Sequence, residues 1–247
     1  MEHLAQIFFH GSLNDFLPKN QKSKGIPYAF SGNPSLKDAL EALGVPHPEI
    51  GSIRQNGMEA GFQEKLLANA MVEAYPVVLE GSGKTLPLLQ VPAQVPASFV
   101  LDVHLGKLAR YLRLLGFDTL YENHYDDQTI GQIAAQERRI VLTRDIGLLK
   151  QKVIPWGYWL RSQHLEAQLQ EVLIRFGLMP QLQPFTRCIA CNGQIQEVSK
   201  QSVLPLLPPK TRQYFQVFFQ CAICQRVYWK GSHYEKMESF LHHLKVQ

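Results

Sequence analysis

The sequence predicts a mixed α/β protein: a mostly parallel sheet flanked by helices, with a small β-grasp unit ahead of it and a cysteine-held ribbon behind. Three observations predict this. Strand and helix patterns alternate four times between Ser98 and Gly177, as expected of βαβ units whose sheet is covered on both faces. The first 80 residues read instead as β-β-α-β-β. All four cysteines lie beyond residue 181, in two C-x2-C pairs.

At 247 residues the chain is long enough for two or three small cores. Apolar residues make up 45% and charged residues 19%, which excludes a disordered chain. No apolar run approaches the ~20 residues that cross a bilayer. The start "MEHLAQIFFHGSLNDF" has neither a basic leader nor a small-residue cleavage site. The expected compartment is the cytoplasm, with no membrane partner.

In the first unit, "AQIFFHG" and "GIPYAF" read as strands. "SLKDALEALG" reads as a short amphipathic helix, capped by Ser35 and stopped by Gly44. "IGSIRQNGMEAG" gives a strand and an Asn-Gly turn, and "AYPVVLE" a last strand. The segment holds none of the acids discussed below and ends without Gly-Gly. It is therefore expected to dock a protein partner and to be dispensable for chemistry. "GSGKTLPLLQVPAQVPAS" (Gly81–Ser98), with three prolines, reads as a linker. Its "GSGKT" ends like a phosphate-binding loop, but Val78 stands where G-x-x-x-x-G-K-T needs glycine, and no helix pattern follows. "GLMPQLQPF" (Gly177–Phe185) marks a second boundary. The expected division is 1–95 for the β-grasp unit and linker, 96–181 for the α/β unit and 182–247 for the ribbon.

Within the α/β unit the strands are read at "SFVLDV", "FDTLYEN", "RRIVLT" and "GYWLRS". The helices are read at "HLGKLARYLRLLG", "DQTIGQIAAQE", "DIGLLKQKV" and "HLEAQLQEVLIRFG". Ligands of such sheets bind beyond the carboxyl ends of the strands. Asp102 ends the first strand, Asp126 and Asp127 follow the second, and Asp145 follows the third. Singly, Asp127 and Asp145 read as helix caps. Together with Asp102, three carboxylates at one edge repel one another and call for a cation. Oxygen ligands select Mg²⁺ or Mn²⁺, an ion able to activate water and neutralise charge on a phosphate. Asp126 reads as a solvated neighbour, and Glu137, which precedes the third strand, as belonging to the far edge. In the first helix Lys107, Arg110 and Arg113 recur at i, i+3, i+6 opposite an apolar face of Leu105, Leu108, Leu112 and Leu115. Such a stripe could hold a polynucleotide backbone, or simply be a solvated face. Arg144 could bind phosphate or pair with the acids, and His104 could shuttle a proton or be structural.

Cys188/Cys191 and Cys221/Cys224 are separated by 29 residues. Two such knuckles supply a tetrahedral thiolate site for structural Zn²⁺, with no position left for water. Disulfides would be out of place in a cytosolic chain, and a redox C-x-x-C needs no duplicate. The insert containing "LPLLPPK" reads as a long loop. Charge is uneven: residues 1–95 carry net −2, 96–181 net +1 and 182–247 net +5, the last with nine aromatics. Cations mixed with rings suit nucleic acid, and a solubilising face is the plain alternative.

"FVLDVHLGKLARYLRLLGFDTLYENHYDD", "ERRIVLTRD" and "YWKGSHYEKM" resemble the Mut-seven C-terminal RNase domain family, a branch of the PIN-like nucleases, from about Phe99 to Met237. The preceding part resembles the ubiquitin-like (β-grasp) domain found ahead of that domain. The resemblance implies a metal-dependent ribonuclease acting on RNA through Asp102, Asp127 and Asp145, with a zinc ribbon at the end. One departure is His104, where the family carries a basic residue, usually arginine. Two other classes of function remain open: a non-catalytic RNA- or ribosome-binding adaptor, and a protein-interaction scaffold.

Overall fold

The computed structural model describes residues 2–77 and 97–232, together with 234, 235 and 237–239. The Gly81–Thr85 motif, the linker up to residue 96 and the end of "AYPVVLE" lie outside the described residues.

The N-terminal sheet has the order β2-β1-β5-β3-β4. Its strands are β1 (His3–Phe9), β2 (Ile26–Phe30), β3 (Ile50–Gln55), β4 (Met58–Ala60) and β5 (Met71–Pro76). β1 runs antiparallel to β2 and parallel to β5. Asn56 and Gly57, with φ of +54° and +80°, make the tight turn between β3 and β4, the left-handed pair that such hairpins favour. α1 (Leu36–Ala42) opens on a reciprocal cap. Ser35 Oγ accepts the Asp38 N–H, and the Asp38 carboxylate accepts the Ser35 N–H. Leu36, Ala39 and Leu40 then pack on Ile7, Ile53 and Val72. The last strand begins earlier than "AYPVVLE" because Val72 and Ala74 are the pair that turns inward, in register with Ile7 and Phe9.

The second sheet is parallel throughout, in the order β7-β6-β8-β9. It comprises β6 (Ser98–Leu101), β7 (Asp118–Leu120), β8 (Ile140–Thr143) and β9 (Gly157–Trp159). α2 (Gly106–Leu114) and α5 (Leu165–Arg175) cover one face, and α3 (Asp127–Glu137) and α4 (Ile146–Leu149) the other. Period-two alternation sorts the side chains. Phe99 and Leu101 pack with Leu108, Leu112 and Val172, whereas Val100 and Val141 pack with Ile130, Ala134 and Leu148. Each buried side chain of this size contributes on the order of 2 kcal/mol. "DIGLLKQKV" forms a single helical turn, not the longer helix read from sequence. Fully buried Ile154 returns to the core through the turns at Lys150 and Gln151, and Pro155 disfavours helix at the residue before it.

The third sheet is an antiparallel meander of β10 (Ile195–Val198), β11 (Phe218–Cys221) and β12 (Val227–Tyr228). The insert read as a loop folds into α6 (Lys200–Val203) and α7 (Pro209–Tyr214). Ser199 caps α6, Pro209 opens α7 where its missing N–H costs nothing, and Val203 and Leu207 close over Phe218. Among the described residues no helix is long and apolar enough to cross a membrane.

Candidate active site and metal centre

In the parallel sheet the chain goes from β6 to β7 on one side and then returns past β6 to β8 on the other. The crevice where the winding reverses therefore lies between the carboxyl ends of β6 and β8, the position where open α/β sheets bind ligands. Asp102 follows β6 and Asp145 follows β8. Asp127 starts α3, the helix reached from β7.

Thr143 joins two of these acids. Its hydroxyl donates to Asp102 Oδ2 at 2.8 Å and accepts the Asp145 N–H at 2.8 Å. Asp102 is only 7% exposed and makes no capping bond. Asp145 is a cap: its Oδ1 accepts the Gly147 N–H at 2.7 Å. At α3 the cap is Asp126, which accepts the Thr129 N–H at 2.7 Å, so Asp126 is more than the solvated neighbour it was read as. Asp127, one position further on, is thereby spared from capping. Partial burial, then the carboxylates of Asp145, Asp102 and Asp126, push the Asp127 carboxyl above its ordinary range. Asp127 thus senses both other acids across the crevice. Among the described residues no three carboxylates converge as tightly as the cysteines do. The sequence signal for Thr143 is slight: "LTRD" places a hydroxyl two residues before Asp145, and only the fold brings Asp102 to it. Glu137 lies at the far edge as read, its carboxylate accepting from Arg139 at 2.7 Å.

The basic stripe needs correction. Lys107 and Arg110 are exposed on α2, and His104 is exposed in the 3-10 turn Val103–Leu105. Arg113 is buried at 4% exposure and cannot grip RNA. Its guanidinium donates to Thr119 O at 2.9 Å and, in the first cysteine knuckle, to Ala190 O at 2.9 Å. Burial pulls its pKa down, and the carbonyls replace the water it has lost. Arg113→Met would strand those acceptors and is expected to lower stability by about 2–3 kcal/mol, read by urea denaturation, with zinc retention weakened. Arg144 is likewise engaged: its guanidinium donates to the carbonyls of Arg161 and Ser162.

The four cysteine Sγ atoms all lie within 4.8 Å of one another. The closest pairs are Cys191 with Cys221 at 3.4 Å and Cys188 with Cys224 at 3.6 Å. A tetrahedral site with Zn–S of ~2.3 Å requires S···S near ~3.8 Å, so four thiolates around one Zn²⁺ fit with small adjustments. Burial would raise the Cys188 thiol, but the Tyr228 hydroxyl, donating at 3.0 Å, and the amides of Cys191 and Ala190 lower it to about 6. Tyr228 was not read from the sequence. Asn192 (φ +68°) turns the knuckle, and at Gly193 an added Cβ would sit 2.8 Å from Cys221 Sγ. Asn192 also clips the ribbon to β7, accepting the Thr119 N–H at 3.0 Å and donating to Asp118 at 2.8 Å. Beside the ribbon sheet, away from the acids, a cavity of about 650 Å³ is lined by Phe219, Tyr228, Trp229, Arg187, Arg226 and Lys230.

Two family models match the chain. The Mut7-C RNAse domain covers residues 97–241 and the Mut7-C ubiquitin domain residues 2–80. A comparison with curated proteins finds no match. Among solved structures, the solution structure of the Haloferax volcanii HVO 2177 protein is similar at 16% identity and a TM-score of 0.27, covering 32% of this chain and 88% of that one.

Proposed function

The chain belongs to the Mut7-C RNase domain family, and from that premise we propose that it hydrolyses RNA phosphodiester bonds with Mg²⁺ or Mn²⁺ held by Asp102, Asp127 and Asp145. The family itself points to nuclease activity. The observation that carries the finer reading is the placement of three carboxylates around one sheet crevice, with Asp127 raised in part by the other two. Oxygen donors in this number suit a hard ion that keeps several waters and takes only one or two direct carboxylate ligands. Such donors need not converge like thiolates on zinc. When bound, the ion would supply an activated water and neutralise charge developing on the phosphate.

The chain's own groups have distinct tasks in this reading. Thr143 holds Asp102 by one oxygen, fixing its orientation. Asp145 spends Oδ1 on the Gly147 amide, which leaves Oδ2 for the ion. Asp127, unencumbered by a cap, completes the negative crevice. Exposed Lys107 and Arg110 would steer the RNA backbone, and the ribbon's basic and aromatic cavity would add affinity. The three-part division at residues 95 and 181 belongs to the same reading, with the four cysteines holding a structural zinc. The ubiquitin-like unit leaves room for a protein partner.

Cleavage of mixed RNAs with Mn²⁺, with Mg²⁺ and with EDTA, paired with RNA binding measured by anisotropy, tests the proposal. Metal-dependent cleavage abolished by EDTA is the expected result. Because Asp145 and Asp126 do cap helices, a non-catalytic RNA-binding adaptor is the second reading. Binding without turnover under every metal would favour it.

A further inference from the structure

Glu49 lies in the 3-10 turn His47–Glu49 of the ubiquitin-like unit and is 0% exposed. Its partners come from across the boundary. Oε1 accepts the Trp159 N–H at 2.7 Å and Arg161 Nη1 at 3.3 Å. Oε2 accepts Arg161 Nη2 at 3.4 Å, with Arg175 Nη2 at 3.8 Å. A carboxylate taken this far out of water is costly unless paired and hydrogen-bonded. Here it is both, and its pairing fixes one orientation of the ubiquitin-like unit against β9. Asp15 adds a bond to Arg161 Nε at 3.2 Å, and the Phe16 ring packs on Trp159 with centroids 5.2 Å apart.

From β9 the contacts run on to the acids. Trp159 Nε1 donates to Arg144 O at 3.1 Å, and the Leu160 N–H donates to Thr143 O at 2.9 Å. The Arg144 guanidinium returns to the carbonyls of Arg161 and Ser162. Thr143 and Arg144 are the residues that precede Asp145, and Thr143 also holds Asp102. β9 is a three-residue edge strand. So short an edge has few contacts of its own and is prone to local opening, unless something outside the sheet secures it.

We infer that Glu49 is a positioning residue: through Trp159, Arg161 and Arg144 the ubiquitin-like unit holds the Thr143–Asp145 turn, and with it the acidic edge, in working geometry. Its consequence for rate rests on the ribonuclease reading above, while its consequence for local order does not. The unit's docking surface is thus turned, in part, on its own chain, and on this inference the unit contributes to the chemistry that its lack of acids suggests it can be spared from.

The test is Glu49→Gln in the full chain. Glutamine keeps the size and can still accept the Trp159 N–H, but it leaves two arginines without their carboxylate. Deuterium uptake at residues 143–147 is expected to rise several-fold, by about the factor that local opening increases, with the ribbon unchanged. Mn²⁺-dependent kcat is expected to fall about 10- to 100-fold, with KM for RNA within about twofold, because small misplacements of a catalytic group cost on that order. General loosening would raise uptake everywhere, which distinguishes positioning from a merely structural role. If Glu49→Gln fails to fold, Arg161→Lys keeps a cation opposite Glu49 without the fork and should show a smaller version of both effects. Wild-type uptake and kcat in a folded variant would overturn the inference. A wild-type chain that cleaves nothing, whose Glu49→Gln form still loosens at 143–147, would remove the ribonuclease reading and keep the positioning role.

Discussion

Asp145→Asn is expected to abolish Mn²⁺-dependent RNA cleavage while leaving the fold intact. Asparagine caps a helix about as well as aspartate, and its Oδ1 can keep the bond to the Gly147 N–H now made at 2.7 Å. The substitution removes a negative charge from the crevice and an anionic oxygen from the proposed ion. A loss of about 10³-fold or more is expected, and Asp102→Asn and Asp127→Asn should match it, because ligands of one ion act as a unit. Pairs of these changes should cost little more than one. Stability should move the other way for Asp127. Its carboxyl is raised above the ordinary 3.8 by partial burial and then by Asp145, Asp102 and Asp126. A raised acid burdens the folded state once it is charged. That burden is fully present above its folded pKa and disappears as pH falls toward 3.8. Asp127→Asn should therefore raise the melting temperature of the zinc-loaded chain free of Mg²⁺ and Mn²⁺ at neutral pH, and the gain should fade on acidification. Zinc content should not change. Wild-type cleavage by Asp145→Asn would reduce this residue to a helix cap.

Cys221→Ser should cost the ribbon its metal and then its order. Cys221 is fully buried at the end of β11, and its Sγ lies 3.4 Å from that of Cys191. Structural zinc in small thiolate sites supplies roughly 10 kcal/mol or more of folding free energy. The core of Val203, Leu207 and Phe218 is small by comparison. Elemental analysis should therefore show about one zinc per wild-type chain, as a closed four-thiolate site takes one ion, and almost none in the variant. Limited proteolysis should begin within residues 182–232 and spread to β7. The spread follows from the clip: once the knuckle opens, Thr119 loses Asn192 as acceptor and Arg113 loses Ala190. The ubiquitin-like unit, with its own core around Ile7, Leu40 and Val72, should remain folded. Acid should act in the same sense. Zinc ligation needs thiolates, so protonation of the four cysteines in acid should release the ion and with it the order of the ribbon. Intact wild-type protein without zinc would remove this assignment.

The sequence by itself determined what depends on local pattern. Alternating apolar residues set the strands, the leucines at Leu105, Leu108, Leu112 and Leu115 set the face of α2, and Ser35 with Asp38 set the start of α1. Paired C-x2-C spacing was enough to predict the four-cysteine cluster, because two thiols on one tight turn are already close. The shared edge of Asp102, Asp127 and Asp145 was legible as well, since strand-to-helix junctions of a parallel sheet share one edge whatever the details of packing. Roles that depend on what packs against a residue were decided only by the tertiary structure. Arg113 looked like the third cation of a surface stripe, yet the ribbon closes over it, and a guanidinium that finds carbonyl acceptors can be buried where helical spacing alone places it in water. Which of Asp126 and Asp127 caps α3 turned on one residue of helix start, a margin that propensity cannot resolve because both positions favour an acid. Glu49 showed no periodicity or motif at all. Its partners are more than a hundred residues away, and a buried charge of this kind is specified by long-range pairing, which only the assembled fold brings together.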